Sequence, residues 1–135
     1  MKEATLRDFF VGASSTKVLR DDLVDALVRT SAVVTKHPIV DMKEDFQVSP
    51  EHLVRICDAF VKNELSADDL RAIGFCLVAS SRFVWDGSDP LGERVANVAS
   101  DWSAPEINYP ITASNVEKWR EYLVTGVNAL AKTAV

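Results

Sequence analysis

Hydrophobic residues recur at helical spacing along most of the chain. Leu6, Phe9, Phe10 and Ala13 follow the series i, i+3, i+4, i+7, which places them on one face of a helix. Other segments repeat this pattern and begin with helix-start residues, as at Ser49-Pro50-Glu51, where a capping hydroxyl precedes a proline and an acid. The pattern predicts a fold built from helices.

One predicted helix, at about residues 67–80, differs from the others because part of it has no polar face. Its segment Ala72–Ala79 reads AIGFCLVA, so we expect a central helix buried on most sides. Gly74 costs roughly 1 kcal/mol of helix propensity relative to alanine, and we expect it to admit a neighbouring helix closely. The prediction is an all-α fold: a single domain, residues 1–135, with five to six helices around this buried central helix.

The segment between the second and third predicted helices is the least regular part of the chain. The second helix is predicted from about Lys17 to Val34 and ends before His37-Pro38, because proline disfavours helix at the preceding residue. Residues 37–48 then favour a loop over the alternative, a short extended piece at Ile39–Met42.

A further helix is predicted to begin at Pro90, with Asp89 as its cap. Its inward stripe is predicted to consist of Leu91, Val95, Val98, Ala99 and Trp102. The last helix is predicted to be capped by Thr112 or Ser114.

Composition is that of a globular domain. The chain has 135 residues, of which 47% are hydrophobic and 26% charged, enough for one core and too few for two ordinary domains. The longest nearly uncharged run, Ala72–Ser81, is too short to cross a bilayer. Met1 is followed directly by the charged residues Lys2 and Glu3, so we expect no secretory signal and a cytoplasmic protein without membrane contact.

The net charge is −5, and it is concentrated in the middle of the chain. Residues 64–106 contain eight acidic and three basic side chains, a balance of −5 in this segment alone. Such a surface repels phosphate backbones, which argues against direct binding of nucleic acid. It favours association with a basic protein instead.

No residue pattern indicates catalysis, a cofactor or a metal. Cys57 and Cys76 lie within apolar helical repeats and match no zinc or redox spacing, so we expect both to be buried thiols. His37 and His52 have no partner at a metal-ligand spacing, and surface or capping roles are favoured. Acid pairs such as Asp21 with Asp25 lie on polar helix faces and are typical of solvated carboxylates. We therefore expect a protein that is not an enzyme.

The candidate binding surface is the segment around the helix that begins at Pro90. Trp85 and Tyr109 flank this helix next to acidic residues, a composition typical of hot spots for a cationic partner, although simple packing explains these aromatic residues equally well. The predicted partner-binding residues are Trp85, Asp86, Asp89, Glu93, Asp101, Glu106 and Tyr109.

Two stretches of this region resemble a known class of protein. Phe83–Asp86 reads Phe-x-Trp-Asp before a helix, and Ser103–Thr112 reads SAPEINYPIT and leads into Asn115-Val116 and the last helix. This arrangement, over about Leu65 to Leu123, resembles small helical immunity proteins of bacterial contact-dependent growth inhibition and related polymorphic toxin systems. The resemblance implies stoichiometric binding to a basic toxin, such as a nuclease, whose cationic active site is covered by carboxylates in place of phosphates.

Two other classes of protein are compatible with the same sequence. A non-catalytic adaptor or regulatory subunit of a larger cytosolic complex would use the same helices for docking. A small enzyme would assemble its site from acids that are scattered along the sequence. A neighbouring toxin gene distinguishes an immunity protein from an adaptor, and rescue of toxin-treated cells distinguishes it from both.

Overall fold

The computed structural model describes residues 2–23, 42–128 and 130, and these residues are mostly helical, consistent with the predicted all-α fold. The part of the second predicted helix (Lys17 to Val34) that covers residues 24–34 lies outside the described residues, as does the break at His37-Pro38. The six helices of the described chain are α1 (Glu3–Phe10), α2 (residues 16–23), α3 (Pro50–Val61), α4 (Ala67–Ala79), α5 (Pro90–Ser103) and α6 (Ala113–Thr125).

Helix starts are set by side chains that accept the free backbone N–H groups of the first turn. At α4 the Ser66 N–H donates to Asp69 Oδ2 at 2.8 Å, and the Asp69 N–H donates to Ser66 Oγ at 3.2 Å. At α6 the cap is Thr112, whose hydroxyl accepts the Asn115 N–H at 3.2 Å, which decides between the two predicted caps.

The most extensive helix contacts in the core are between α4 and α5 and between α3 and α6. Gly74 of α4 lies against α5, where an added Cβ would be 2.7 Å from both Trp102 Cβ and Ser103 N. The close helix approach predicted for this glycine is therefore present. Trp102 is fully buried and packs edge-to-face against Trp119 of α6, with ring centroids 6.2 Å apart.

Helix α4 coincides with the predicted central helix, but it is buried on one side rather than on most sides. Leu70, Ile73 and Leu77 are buried, whereas Phe75 and Val78 are 36% and 53% exposed. The run of apolar residues could not show this difference, because no polar residue marks the exposed face of the helix.

Part of the predicted loop at 37–48 is a strand. Here β1 (Phe46–Gln47) pairs in parallel with β2 (Phe83–Val84), and the Val48 N–H donates to the Val84 carbonyl at 2.9 Å. Ile39 and Val40, at the start of that loop, lie outside the described residues. Two-residue strands carry too little alternation to be predicted from sequence.

An aromatic cluster fixes this strand pair to the helices. Phe46 and Phe83 contact Phe10 of α1, and His52 of α3 stacks on Phe10 with ring centroids 5.2 Å apart. The cluster holds the start of α3 beside the end of β2, and Trp85 follows directly after β2. The next turn of the chain is therefore held beside α3 as well as α5.

Candidate functional site

Three predicted site residues line a small cavity where α3 and α5 begin. Trp85, Asp86 and Asp89 surround about 90 Å³ of space. The other residues of the cavity are Gln47, Val48, Ser49, Pro50, Leu91 and Gly92. Trp85 is half-buried and packs partly against the core, while both aspartates are exposed.

The turn that carries Asp86 is held firmly against α5. Asp86 Oδ1 accepts the Ser88 N–H at 3.0 Å and the Ser88 hydroxyl at 2.6 Å, and these bonds lower the pKa of the Asp86 carboxyl. An added Cβ on Gly92 would collide with the Asp86 carbonyl, so only glycine fits beneath this turn. The carboxylate of Asp86 is thus ionised at neutral pH and fixed in direction.

A larger cavity of about 340 Å³ adjoins the first, and the two share Ser49, Pro50 and Leu91. We call the two adjoining cavities the groove. Its second part lies between α3, α5 and α6 and has a mainly aliphatic wall. The residues of this part are Ser49, Pro50, Glu51, Val54, Leu91, Arg94, Leu123 and Val124.

Leu91 and Val124 are the exposed apolar side chains of the groove, at 50% and 56%. The prediction that Leu91 points inward is wrong. The buried stripe of α5 begins at Gly92 and continues through Val95, Val98, Ala99 and Trp102. Leu91 shares the face of Val95 and Val98 but lies in the first turn of α5, at the end of the helix, where it lines the groove instead of the core.

Arg94 is the one basic residue among those that line the groove. Its side chain contacts the C-terminal end of α6. Its guanidinium donates to the Leu123 carbonyl at 3.4 Å and lies close to Gly126, the left-handed residue that ends α6. A cation at this position balances the negative end of the helix dipole.

Three carboxylates line the groove: Asp86 and Asp89 in its smaller part and Glu51 in its larger part. Glu93, in the first turn of α5, lines neither part. Within the described parts of the chain, none of the three lining carboxylates has a lysine or arginine partner in a salt bridge. No cation of the described chain therefore competes with a partner molecule for these three charges.

The other three predicted site residues lie at the far end of α5. Asp101 is twelve residues beyond Asp89, which separates them by about 18 Å along the helix at ~1.5 Å per residue. Asp101 is half-buried and accepts the Trp119 indole N–H at 3.0 Å, and burial raises the pKa of its carboxyl against the effect of this bond. Glu106 pairs with Arg71 at 3.5 Å, and Tyr109 is half-buried against the core.

The seven predicted residues therefore form two separate groups. Trp85, Asp86, Asp89 and Glu93 cluster at the start of α5, and the structure does not bring the remaining three to them. The sequence did not predict the groove residues Glu51, Val54, Leu91, Arg94 and Val124. Three of them belong to α3 and α6, which are distant from α5 in sequence, so no local pattern around α5 could have indicated them.

A third cavity of about 290 Å³ lies between α1 and α3. Arg55 lies over the Phe9 ring, 5.6 Å from its centroid, and Asp58 pairs with Arg120 at 2.7 Å. Lys62 and Glu64 complete its charged lining. Its two cations and two anions balance, so it favours neither a cationic nor an anionic partner.

The described side chains that could act as nucleophiles or metal ligands, Cys57, Cys76 and His52, have structural roles. Cys57 and Cys76 are buried, as predicted, and burial raises the pKa of the Cys57 thiol to about 12. His52 caps α3 by accepting the Ser49 N–H on Nδ1 at 3.0 Å, and capping is one of the two roles predicted for it. The described residues contain no cluster of three His, Cys, Asp or Glu side chains able to hold a metal ion. Their helices include none that is long and apolar enough to span a bilayer.

Comparisons with protein-family models, curated proteins and solved structures found no match to this chain.

Proposed function

We propose that this protein is a cytoplasmic immunity protein that binds and neutralises a basic toxin domain in a stoichiometric complex. The observation that supports this most is the groove, an apolar cleft lined by three carboxylates, Glu51, Asp86 and Asp89, without a basic partner in the described chain. The proposed contact surface is the start of α5 with Trp85, rather than the whole segment 86–109.

The two kinds of side chain in this surface have different roles in binding. Exposed carboxylates at a rim act mainly on the association rate, because they attract a basic protein before contact. A half-buried tryptophan acts mainly on dissociation, because removing a large anchor from a desolvated interface leaves a gap. Trp85 is held between the strand pair and α5 and therefore offers a pre-positioned ring.

The same charges fit an inhibitor of an enzyme that acts on nucleic acid. Fixed carboxylates such as that of Asp86 can occupy the positions where a toxin binds phosphates. Direct binding of nucleic acid by this protein is disfavoured, because like charges repel.

The decisive test is co-expression with the toxin domain encoded beside this gene. We expect growth to be restored and a one-to-one complex to form. A complex without growth rescue would favour the adaptor, and a neighbouring gene that encodes no toxin would refute immunity.

Matched charge variants then locate the surface. We expect Asp86→Asn with Asp89→Asn to slow association at low salt, because the turn and cap geometry is retained while two charges are lost. The control pair, Asp21→Asn with Asp68→Asn, removes the same charge from exposed positions elsewhere. The difference between the pairs should shrink at about 1 M salt, where the screening length is about 3 Å.

The anchor is tested by Trp85→Ala. We expect dissociation to become faster by about 30-fold, which corresponds to a hot spot of about 2 kcal/mol. Because Trp85 packs partly on the core, the unfolding free energy of the variant is measured beside binding. If Trp85 and the aspartates leave binding unchanged while Tyr109→Ala weakens it, the partner binds the other end of α5.

A further inference from the structure

We infer that the partner segment that enters the groove is a basic amphipathic helix, with aliphatic residues against Leu91 and Val124 and lysine or arginine against the acidic rim. This inference rests on the proposed function, because it specifies what the toxin inserts. Three features of the groove support this occupant: its lining, its charge and its helical walls.

The lining requires an apolar occupant. Leu91 and Val124 expose about half of their surface, and Pro50, Val54 and Leu123 continue the same wall. The larger cavity of about 340 Å³ has the volume of roughly eleven waters at ~30 Å³ each. Aliphatic side chains from one face of a helix would fill a volume of this size and bury the exposed leucine and valine.

The charge of the rim selects a basic occupant over an anionic one. Two helices, α3 and α5, begin at the groove, and each N-terminus contributes about half a positive charge. Arg94 adds one charge, but it already contacts the end of α6. The three carboxylates of Glu51, Asp86 and Asp89 outweigh the roughly two positive charges of the helix starts and Arg94, so the field at the groove is negative.

The shape favours a helix over an extended segment. The groove is walled by α3, α5 and α6, and it joins a narrow cavity at Trp85 to a wider one at Val124. A helix that docks in such a groove presents anchors at i, i+3, i+4 and i+7. An extended segment would bind by adding to a sheet edge, whereas the larger part of the groove is lined by residues of three helices and the cap residue Ser49, with no strand residue.

The test uses synthetic peptides, so it does not depend on the toxin. A helical peptide with leucines on one face and lysines on the other is titrated into the protein, and backbone amide NMR shifts report the contact. The controls are a leucine–glutamate peptide, a serine–lysine peptide, and a scrambled leucine–lysine peptide without an apolar face. We expect the first peptide to bind at least about tenfold more tightly than each control.

Two valine variants locate the binding. We expect Val124→Arg to weaken the leucine–lysine peptide at least about tenfold, because it places a cation in the groove. Val78→Arg, at an equally exposed valine of α4, should leave binding unchanged. Both residues are 53–56% exposed, so neither substitution should unfold the protein.

Each other result overturns a stated part of the inference. Equal binding of the leucine–glutamate or serine–lysine peptide refutes the charge or the apolar anchor, respectively. Equal binding of the scrambled peptide refutes the helix, and loss with Val78→Arg alone refutes the location. A toxin that needs Asp86 and Asp89 but tolerates Val124→Arg would overturn this inference and leave the proposed function standing. A protein that binds the leucine–lysine peptide but not the toxin would support this inference and refute the proposed function.

Discussion

Replacing Gly74 by alanine should destabilise the protein even though alanine is the better helix former. Gly74 lies in the middle of α4, at the closest approach to α5. An added Cβ would be 2.7 Å from Trp102 Cβ and Ser103 N and 2.9 Å from the Trp102 carbonyl carbon. Two of these three atoms belong to the backbone of α5, so relief requires movement of a whole helix and not of one flexible side chain.

The size of the effect is a difference of two terms. Alanine gains about 1 kcal/mol in helix propensity over glycine. Overpacking a well-packed core costs typically about 1–3 kcal/mol, and contacts below 3 Å with backbone atoms place this site at the upper end. We therefore expect a net loss of about 1–2 kcal/mol. At about 2.1 cal/mol/K of unfolding entropy per residue, 135 residues convert this into a fall in Tm of about 3–7 °C.

The assay is equilibrium unfolding in urea, followed by circular dichroism, with thermal melts of the same variants. The matched control is Gly87→Ala, since a Cβ at Gly87 would have no neighbour within 4 Å and its φ is not positive. That variant should be neutral or stabilised by up to about 1 kcal/mol through a less flexible unfolded chain. A Gly74→Ala variant as stable as the Gly87→Ala control would refute the close packing of α4 on α5.

Two further predictions concern stability. Leu77 lies on the buried side of α4 and is 1% exposed, so Leu77→Ala should lower the unfolding free energy of the protein by about 2–5 kcal/mol. A loss below about 1 kcal/mol in urea unfolding would show that this side of α4 is not part of the core. The pKa of His52 is lowered below 6.5, chiefly by burial, with Glu51 opposing and Arg55 adding to the shift. The unfolded state therefore binds more protons than the folded state, so stability should fall as pH drops below about 6.5, above the range where carboxylates titrate at about pH 4. Protonation of Nδ1 would also remove the acceptor for the Ser49 N–H, and a His52→Asn variant with the same pH slope as the parent would contradict this assignment.

Helices were predictable from sequence because their signals are local. The apolar spacing in α1 and the start of α3 at Ser49-Pro50 each depend on a few neighbouring residues, and both helices are present. The strand pair was missed because Phe46 and Phe83 lie far apart in sequence and each strand has only two residues. The exposed side of α4 was missed because Val78 is apolar and yet faces outward.

The candidate site shows why a charge count along the sequence does not describe a surface. The segment 64–106 carries −5, but Asp69 is 3% exposed and caps α4, Asp101 accepts a hydrogen bond from Trp119, and Glu106 pairs with Arg71. Each of these carboxylates already has a structural partner.

Reversing the charge of Asp101 would leave the Trp119 N–H without its acceptor in a half-buried position. Weaker toxin binding in such a variant would then report lost stability rather than a lost contact. The acids that remain available are those at the start of α5, together with Glu51, which lies outside the segment and was not counted in it. A binding test that replaces Asp86, Asp89 or Glu51 by its amide therefore measures the surface, because none of the three has a basic partner in the described chain and the amide oxygen of an Asp86→Asn variant can still accept from Ser88.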